Sequence, residues 1–244
     1  MPIEIKVGPP IITISQGRTF MVTTQAGEIF ANTDQGLYAL DTRFLSFYRL
    51  YINRVPLQVV NSSQLSFYAS RFHLTNPQIE TDGGVVDAQT LRFTINRVVS
   101  EGIHEDIDIA NYTGKSIHFL LEVAMRSDFA DLFEVKTKHI IQRGKEQTQW
   151  DSQKKQLYTT YDDKDFHRAI RYCILDDVPV GYANGRIFFE IELTPNQRWH
   201  TCSEMILEHD RHVKQPGPNS CHQQRQGTST SGATPGRGQH TQRL

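Results

Sequence analysis

Apolar and polar residues alternate along most of the chain with the two-residue period of β-strands. The run from Leu91 to Ile95 alternates apolar and polar side chains, and the run from Ile117 to Met125 places its apolar residues at every second position. This alternation is typical of strands that bury one face and expose the other to water. Turn signals such as Asn184-Gly185 separate the runs.

The pattern as a whole predicts the fold class. No stretch sustains a helical 3.6-residue period for three turns, whereas short strand patterns with regular turn signals continue almost to residue 207. Many short strands of this kind favour a sandwich over alternating strands and helices. We therefore predict an all-β protein, a large antiparallel β-sandwich with short helical turns.

The composition changes at Asp210. Residues 211–244 contain no aromatic residue and no acid, and Gly, Pro, Ser, Thr, Gln and Arg dominate them. Such a segment cannot bury enough apolar surface to offset the entropy lost on ordering. We predict a folded domain over residues 1–210 and a disordered, basic C-terminal tail over residues 211–244.

One segment breaks the strand pattern abruptly after the run that ends at Met125. Its acids Asp128, Asp131 and Glu134 recur every third residue, which is helical spacing. We predict one helical turn that Asp128 caps, with Asp131 in the position of a capping-box acid. The large apolar residues that we expect to tie this turn to the core are Phe129, Leu132 and Phe133.

Charge and composition argue against several classes of partner. The formal net charge of -1 gives no bias toward nucleic acid or anionic membranes. No apolar run approaches the roughly 20 residues of a membrane span, and the N-terminus has no signal-peptide core. Three cysteines without a CxxC pair fit a reducing compartment. We predict a cytoplasmic protein with no nucleic-acid or membrane partner.

The sequence contains no motif that assigns catalysis. A phosphate-binding Gly-rich loop, HExxH and Gly-x-Ser-x-Gly are all absent. His104, Asp106 and Asp108 could place three ligands on one strand face, but a metal site would need a second cluster. Glycoside hydrolysis needs two carboxylates that face each other, and the spacing of the acids singles out no pair. We predict no catalytic residue, metal or cofactor.

Two specific motifs carry a resemblance to a known family. They are Asp41-Thr42-Arg43-Phe44-Leu45-Ser46 and Ser127-Asp128-Phe129-Ala130-Asp131-Leu132-Phe133-Glu134. Leu50-Tyr51-Ile52-Asn53, Thr75-Asn76-Pro77 and Asn111-Tyr112-Thr113 lie between them in order. Over roughly residues 15 to 207 the chain resembles the N-terminal domain of bacterial-type glycogen debranching enzymes, the amylo-α-1,6-glucosidase family.

The resemblance implies an N-terminal β-sandwich followed by a helical toroid that carries the catalytic acid and base. The toroid has no counterpart in this sequence, so we expect a non-catalytic domain that is inactive alone. Its catalytic partner domain would be encoded separately or lost, through truncation or a frameshift. The alternatives are a stand-alone α-glucan-binding module and a truncated fragment without independent activity.

The resemblance also suggests candidate binding residues. Asp41 and Arg43 flank Thr42 just before a strand, where they could form a charge-assisted pair that fixes the corner. Alternatively, this motif and the Asp128 turn could meet the toroid or border an α-glucan cleft. Trp150 and Trp199 could stack on sugar rings. The candidate residues are Asp41, Arg43, Asp128, Asp131, Trp150 and Trp199.

Overall fold

The computed structural model describes residues 8–141, 143–164, 166–209 and 212–214. Within these residues the chain forms strands almost throughout, together with one short helix. The strands are β1 (Ile11–Gln16), β2 (Thr19–Thr24), β3 (Gly36–Ala39), β4 (Thr42–Leu45), β5 (Phe47–Ile52), β6 (Val55–Pro56), β7 (Gln58–Ser66), β8 (Ala69–Thr75), β9 (Ile79–Thr81), β10 (Gly84–Val86), β11 (Leu91–Val99), β12 (Ile103–Asn111), β13 (Ile117–Arg126), β14 (Lys145–Asp151), β15 (Gln156–Asp163), β16 (Phe166–Ile174), β17 (Gly181–Ala183), β18 (Arg186–Leu193), β19 (Arg198–His209) and β20 (His212–Lys214). The helix is α1 (Leu132–Thr137).

Two large antiparallel sheets form the body of the domain. The nine-stranded sheet has the order β14-β15-β16-β19-β12-β11-β8-β7, with β20 paired to β19. The five-stranded sheet has the order β17-β18-β13-β5-β6. A four-stranded sheet, β1 to β4, and the β9–β10 hairpin complete the set. The predicted all-β, antiparallel architecture is confirmed.

The alternating residues of the two large sheets build one shared core. Phe93 on β11 and Phe119 on β13 are buried, and their rings meet edge to face with centroids 6.5 Å apart. Phe189 on β18 meets Trp199 on β19 in the same way at 5.4 Å. Burying a side chain of this size contributes about 2–3 kcal/mol. The apolar positions of the alternating pattern in the sequence therefore form the faces along which the two sheets pack.

A charged pair interrupts this apolar core. Arg97 and Glu105 are direct cross-strand partners on β11 and β12, and both side chains are almost completely buried. Arg97 Nε donates to Glu105 Oε2 at 2.5 Å, and Tyr48 Oη donates to the other carboxylate oxygen. Arg97 also donates to the carbonyl of Gly27. Burial raises the pKa of Tyr48 well above its ordinary value, and Glu105 raises it further.

The outermost strand of the nine-stranded sheet, β7, is irregular. Its pairing with β8 shifts register between Val59 and Asn61 and again between Gln64 and Ser66. Most of its side chains are exposed, including Val60 at 66%. Register shifts of this kind are β-bulges, which bend a strand and increase its twist.

The C-terminal prediction lies largely outside the described residues. Of residues 211–244, the structure describes only His212–Lys214, which pair with β19 as the short strand β20. In the described part of the chain, no helix is long and apolar enough to cross a membrane.

Candidate functional site

The two family-like motifs lie side by side at one corner of the sandwich. Thr42 and Asp131 form an isolated antiparallel bridge, although they are far apart in the chain. The backbone N–H of Arg43 donates to the carbonyl of Ala130 at 2.8 Å. Strand β4 is thus joined to the segment that leads into α1, and the corner is built from backbone hydrogen bonds of both motifs.

Arg43 and Asp128 are the charged pair of this corner. Arg43 Nη2 lies 2.5 Å from Asp128 Oδ2, and Arg43 Nε lies 3.1 Å from Oδ1, so the pair is bidentate. The Arg43 side chain is buried and also donates to the carbonyl of Thr33. Burial alone would lower the pKa of Arg43, but Asp128 raises it. The expected pairing of Arg43 with Asp41 is wrong, because Asp41 is exposed in a left-handed turn with φ 64°.

Asp131, rather than Asp128, caps helix α1. The Asp131 side chain accepts from Glu134 N at 2.8 Å, and Glu134 Oε2 accepts from Asp131 N at 3.2 Å. This is a reciprocal capping box. The helical turn is confirmed, but our assignment of its cap to Asp128 was three residues too early. The acids repeat twice at the same spacing, so the sequence allowed both registers.

The apolar residues of the motif divide between core and surface. Phe129 is buried, stacks on Tyr161 with centroids 5.7 Å apart and meets Phe44 edge to face. Leu132 packs against a small cluster as a partly buried residue. Phe133 is 79% exposed, so the expectation that it ties the turn to the core is wrong. The exposed Phe133, Ile140 and Ile141, on α1 and the segment after it, are called the α1 patch below.

A cleft of about 480 Å³ begins beside this corner. Arg126 and Ser127, the residues directly before Asp128, line it. Strands β5 and β13 and the β17–β18 hairpin form one wall, and β14, β15 and β16 form the other. Its remaining lining residues are Phe47, Tyr51, Ala124, Met125, Glu146, Thr148, Leu157, Thr159, Ile170, Tyr172, Tyr182, Asn184, Gly185 and Arg186.

The cleft combines aromatic rings with arginines and one acid. The guanidinium of Arg186 lies 4.4 Å from the centroid of the Tyr51 ring, and Arg126 lies 5.7 Å from that of Phe47. Glu146 is the only acid among the described lining residues. Glu146 is exposed, but its partial desolvation in the cleft raises its pKa, and the charge of Asp128 adds to this effect. The cleft therefore offers ring faces, hydrogen-bond donors and one carboxylate to a polar ligand.

The two tryptophans differ in their relation to this cleft. Trp150 stacks on Tyr182, with centroids 5.7 Å apart and ring planes at 19°, and Tyr182 lines the cleft. Trp199 packs between the sheets against Phe189 and does not line the cleft. The corner brings together four of the predicted candidate residues, Asp41, Arg43, Asp128 and Asp131. The residues that line the cleft were not predicted from the sequence. The Tyr182-to-Arg186 hairpin was visible as a turn, but nothing in the sequence placed it opposite β14.

Comparison with known proteins gives structural neighbours and one family. No curated protein matches the sequence. A candidate aldose 1-epimerase from Escherichia coli K12 aligns with a TM-score of 0.46 and 10% identity, over 83% of this chain and 100% of that one. A candidate kojibiose phosphorylase from the human microbiome aligns with a TM-score of 0.43 and 10% identity, over 81% of this chain and 26% of that one.

The family comparison covers most of the chain. A profile described as the N-terminal domain of some glycogen debranching enzymes matches residues 14–204. Both motifs of the corner and every strand that lines the cleft fall within this range. The chain therefore belongs to the family of N-terminal domains of glycogen debranching enzymes.

Proposed function

We propose that this chain is a non-catalytic domain of a glycogen-debranching-type amylo-α-1,6-glucosidase and acts as a scaffold in α-glucan metabolism. The observation that supports this most strongly is that the acids of the second motif are already engaged in structural contacts. Asp128 is held by Arg43, and Asp131 and Glu134 form the capping box of α1. Carboxylates held in this way brace a corner and are poorly placed to exchange protons with a substrate.

The described residues that line the cleft include no carboxylate pair of the kind that glycoside hydrolysis uses. Such enzymes place two carboxyl groups about 5–10 Å apart on either side of the scissile bond. Among the described residues that line this cleft, Glu146 is the only acid. This composition supports a role in binding or positioning, with hydrolysis performed by another domain.

The α1 patch supports a contact with that other domain. Phe133 is 79% exposed, and Ile140 and Ile141 are 40% and 45% exposed. The backbone N–H of Ile141 donates to Glu134 Oε1 at 3.3 Å, which holds the segment after α1 beside the helix. Exposed apolar residues on neighbouring segments can mark an interaction site. Covering the Phe133 ring would contribute about 2–3 kcal/mol. In our proposal the helical catalytic domain of the enzyme covers this patch.

An activity assay tests the non-catalytic role. The purified chain is incubated with a branched limit dextrin, and released glucose is compared with that from a heat-inactivated sample. An active debranching enzyme serves as the positive control. We expect no glucose above the inactivated sample. Glucose release that disappears in Glu146→Gln would overturn the proposal, because it would place the chemistry in this cleft.

A second candidate function is α-glucan binding in the cleft. Tyr51 and Tyr182 present rings, and Arg126, Arg186 and Glu146 can form hydrogen bonds with hydroxyl groups. Aromatic side chains provide flat apolar surfaces, and a few polar groups fix the orientation of a ligand. This composition suits a sugar better than a wholly apolar ligand.

Gel retardation tests this second function. The chain is run through native gels with and without glycogen, beside Tyr182→Ala and Tyr51→Ala. Tyr112→Ala is the matched control, because Tyr112 is a 56% exposed aromatic residue outside the cleft. We expect retardation of the unmodified chain and the control and a loss of retardation in both cleft variants. Migration unaffected by high glycogen would exclude glucan binding.

A further inference from the structure

Two histidines and several acids gather on the outer face of the nine-stranded sheet, away from the cleft. His104 and Asp106 lie on β12, and His200 lies on the neighbouring strand β19. Their phase is opposite to that of Ile103 and Ile107, whose side chains belong to the core. Strand alternation thus places this cluster on the far side of the sheet from the sandwich interior.

The Nε2 atoms of both histidines approach one carboxylate oxygen. His104 Nε2 lies 3.4 Å from Asp106 Oδ1, and His200 Nε2 lies 3.9 Å from the same atom. Asp176, in the turn after β16, adds a second carboxylate, with Oδ2 4.0 Å from His200 Nε2. The backbone N–H of Cys202 donates to this Asp176 oxygen at 2.7 Å, which fixes its position.

The Nδ1 atoms point toward different acids. His200 Nδ1 lies 2.9 Å from Asp108 Oδ1. An ionised carboxylate can only accept a hydrogen bond, so Nδ1 of His200 is the protonated nitrogen. His104 Nδ1 lies 3.7 Å from Glu204 Oε1. An outer carboxylate on Nδ1 with Nε2 turned inward is the arrangement that orients histidine ligands of metal ions.

We propose that this cluster binds a divalent transition-metal ion of the zinc class through His104, His200, Asp106 and Asp176. Imidazole and carboxylate together suit such ions. Bond lengths near 2.0–2.2 Å place tetrahedral ligands roughly 3.4 Å apart. His104 and Asp106 already have this separation, and His200 must approach Asp106 and Asp176 by roughly half an ångström. Because His104 with Asp106 and His200 with Asp176 belong to two separate close groups, the two halves must also move toward each other to share one ion.

The cluster is open on the side of the residues that must move. The side chains of His200 and Asp176 are 21% and 27% exposed, whereas those of His104 and Asp106 are only 4% and 8% exposed. A hydrated ion can therefore enter past Asp176 and reach the two buried ligands. The same exposure leaves His200 and Asp176 free to adjust, so we assign the preformed half of the site to β12.

Metal titration of the untagged full-length chain tests the proposal. After chelator treatment, the chain is titrated with Zn²⁺ in a mildly alkaline buffer by calorimetry, and with Co²⁺ while its visible absorption is followed. We expect binding at this site to raise the melting temperature and to give the absorption of Co²⁺ in a nitrogen and oxygen site. In His200→Gln and Asp176→Asn we expect at least a tenfold loss of affinity.

His167→Gln is the matched control. His167 Nδ1 also pairs with a carboxylate, Asp162 Oδ1 at 2.6 Å, at a different place on the sheet. We expect this variant to bind the metal like the unmodified chain, and circular dichroism checks that each variant is folded. His104→Gln is added, but the exposed His200 and Asp176 decide the outcome if it does not fold. No binding, or equal binding in His200→Gln, would show that the cluster is a network of ion pairs only.

Discussion

Two arginine–carboxylate pairs lie in different surroundings in this domain. Arg97 and Glu105 are sealed between the sheets, with side chains 1% and 0% exposed. Arg43 and Asp128 lie at the corner, where the arginine is 2% exposed but the acid is 21% exposed. Both pairs join a guanidinium to a carboxylate, so a comparison of them shows how solvent access changes the role of such a pair.

The hydrogen bonds of the inner pair, Arg97 and Glu105, are made with other groups of the protein. Glu105 accepts from Arg97 and from Tyr48 of the facing sheet, and Arg97 reaches the Gly27 carbonyl. Replacing such a pair with apolar groups is often harmless, whereas removing one partner is costly. We infer that this pair fixes how the two sheets align. Asp128, by contrast, lies close enough to the cleft for its charge to affect Glu146, so the outer pair can couple to a ligand.

The largest expected effect comes from breaking the inner pair. Glu105→Ala leaves the Arg97 charge buried without a partner, and we expect a loss of about 3–5 kcal/mol in the free energy of unfolding. Urea denaturation measures it. The double variant Arg97→Met with Glu105→Leu should recover part of this loss. A loss below about 1 kcal/mol for Glu105→Ala would show that water reaches the pair.

A smaller effect is expected at the corner. Asp128→Asn keeps the shape of the side chain but removes the charge opposite the buried Arg43, and we expect a loss of about 2–3 kcal/mol. The matched control is Asp41→Asn, because asparagine tolerates the left-handed backbone conformation at this position. It should change the stability little. Equal losses in both variants would mean that Arg43 depends on the two acids equally.

The capping box should matter locally. Asp131→Ala removes the side-chain acceptor of Glu134 N, and we expect a loss of about 1 kcal/mol. Trypsin cleavage after Lys136 and Lys138 should become faster, because α1 opens more often. Asp82→Ala, in the exposed β9–β10 turn, is the control. An unchanged cleavage rate would indicate that β4 holds the segment without the cap.

The smallest effect concerns Glu146 and depends on pH. Because its pKa is raised in the folded protein, the folded state holds this proton to higher pH than the unfolded chain does. The charged form therefore opposes folding above the raised pKa. We expect Glu146→Gln to raise the melting temperature slightly at neutral pH, with the gain disappearing below the ordinary value near 4.5. Glu190→Gln, at an exposed position of β18 outside the cleft, is the matched control.

Alternation was enough to predict the antiparallel β-sandwich, and the spacing of the acids was enough to predict the helical turn. The same alternation also marked Arg97 and Glu105, since each occupies a position in the apolar phase of its strand. Neither residue was singled out from the sequence, because alternation alone does not show that a charge in the apolar phase has a partner on the neighbouring strand. The sequence could not decide which acid caps the helix, because the equal spacing of the acids fits Asp128 and Asp131 alike. The cleft was beyond reach, because β13 and the β17–β18 hairpin belong to one sheet and β14 to the other. Alternation does not show which strands of two sheets face each other.

The two bulges of β7 have a consequence for the protein in solution. The outermost strand of an open sheet carries unpaired backbone groups on which another chain can build, and exposed valine and leucine side chains would favour such growth. The register shifts near Val59 and Gln64 break the regular spacing of those groups. We infer that they protect the domain from edge-to-edge aggregation. Straightening β7 would require the deletion of both Val60 and Leu65, the two residues left without a partner at the register shifts, and would remove this protection.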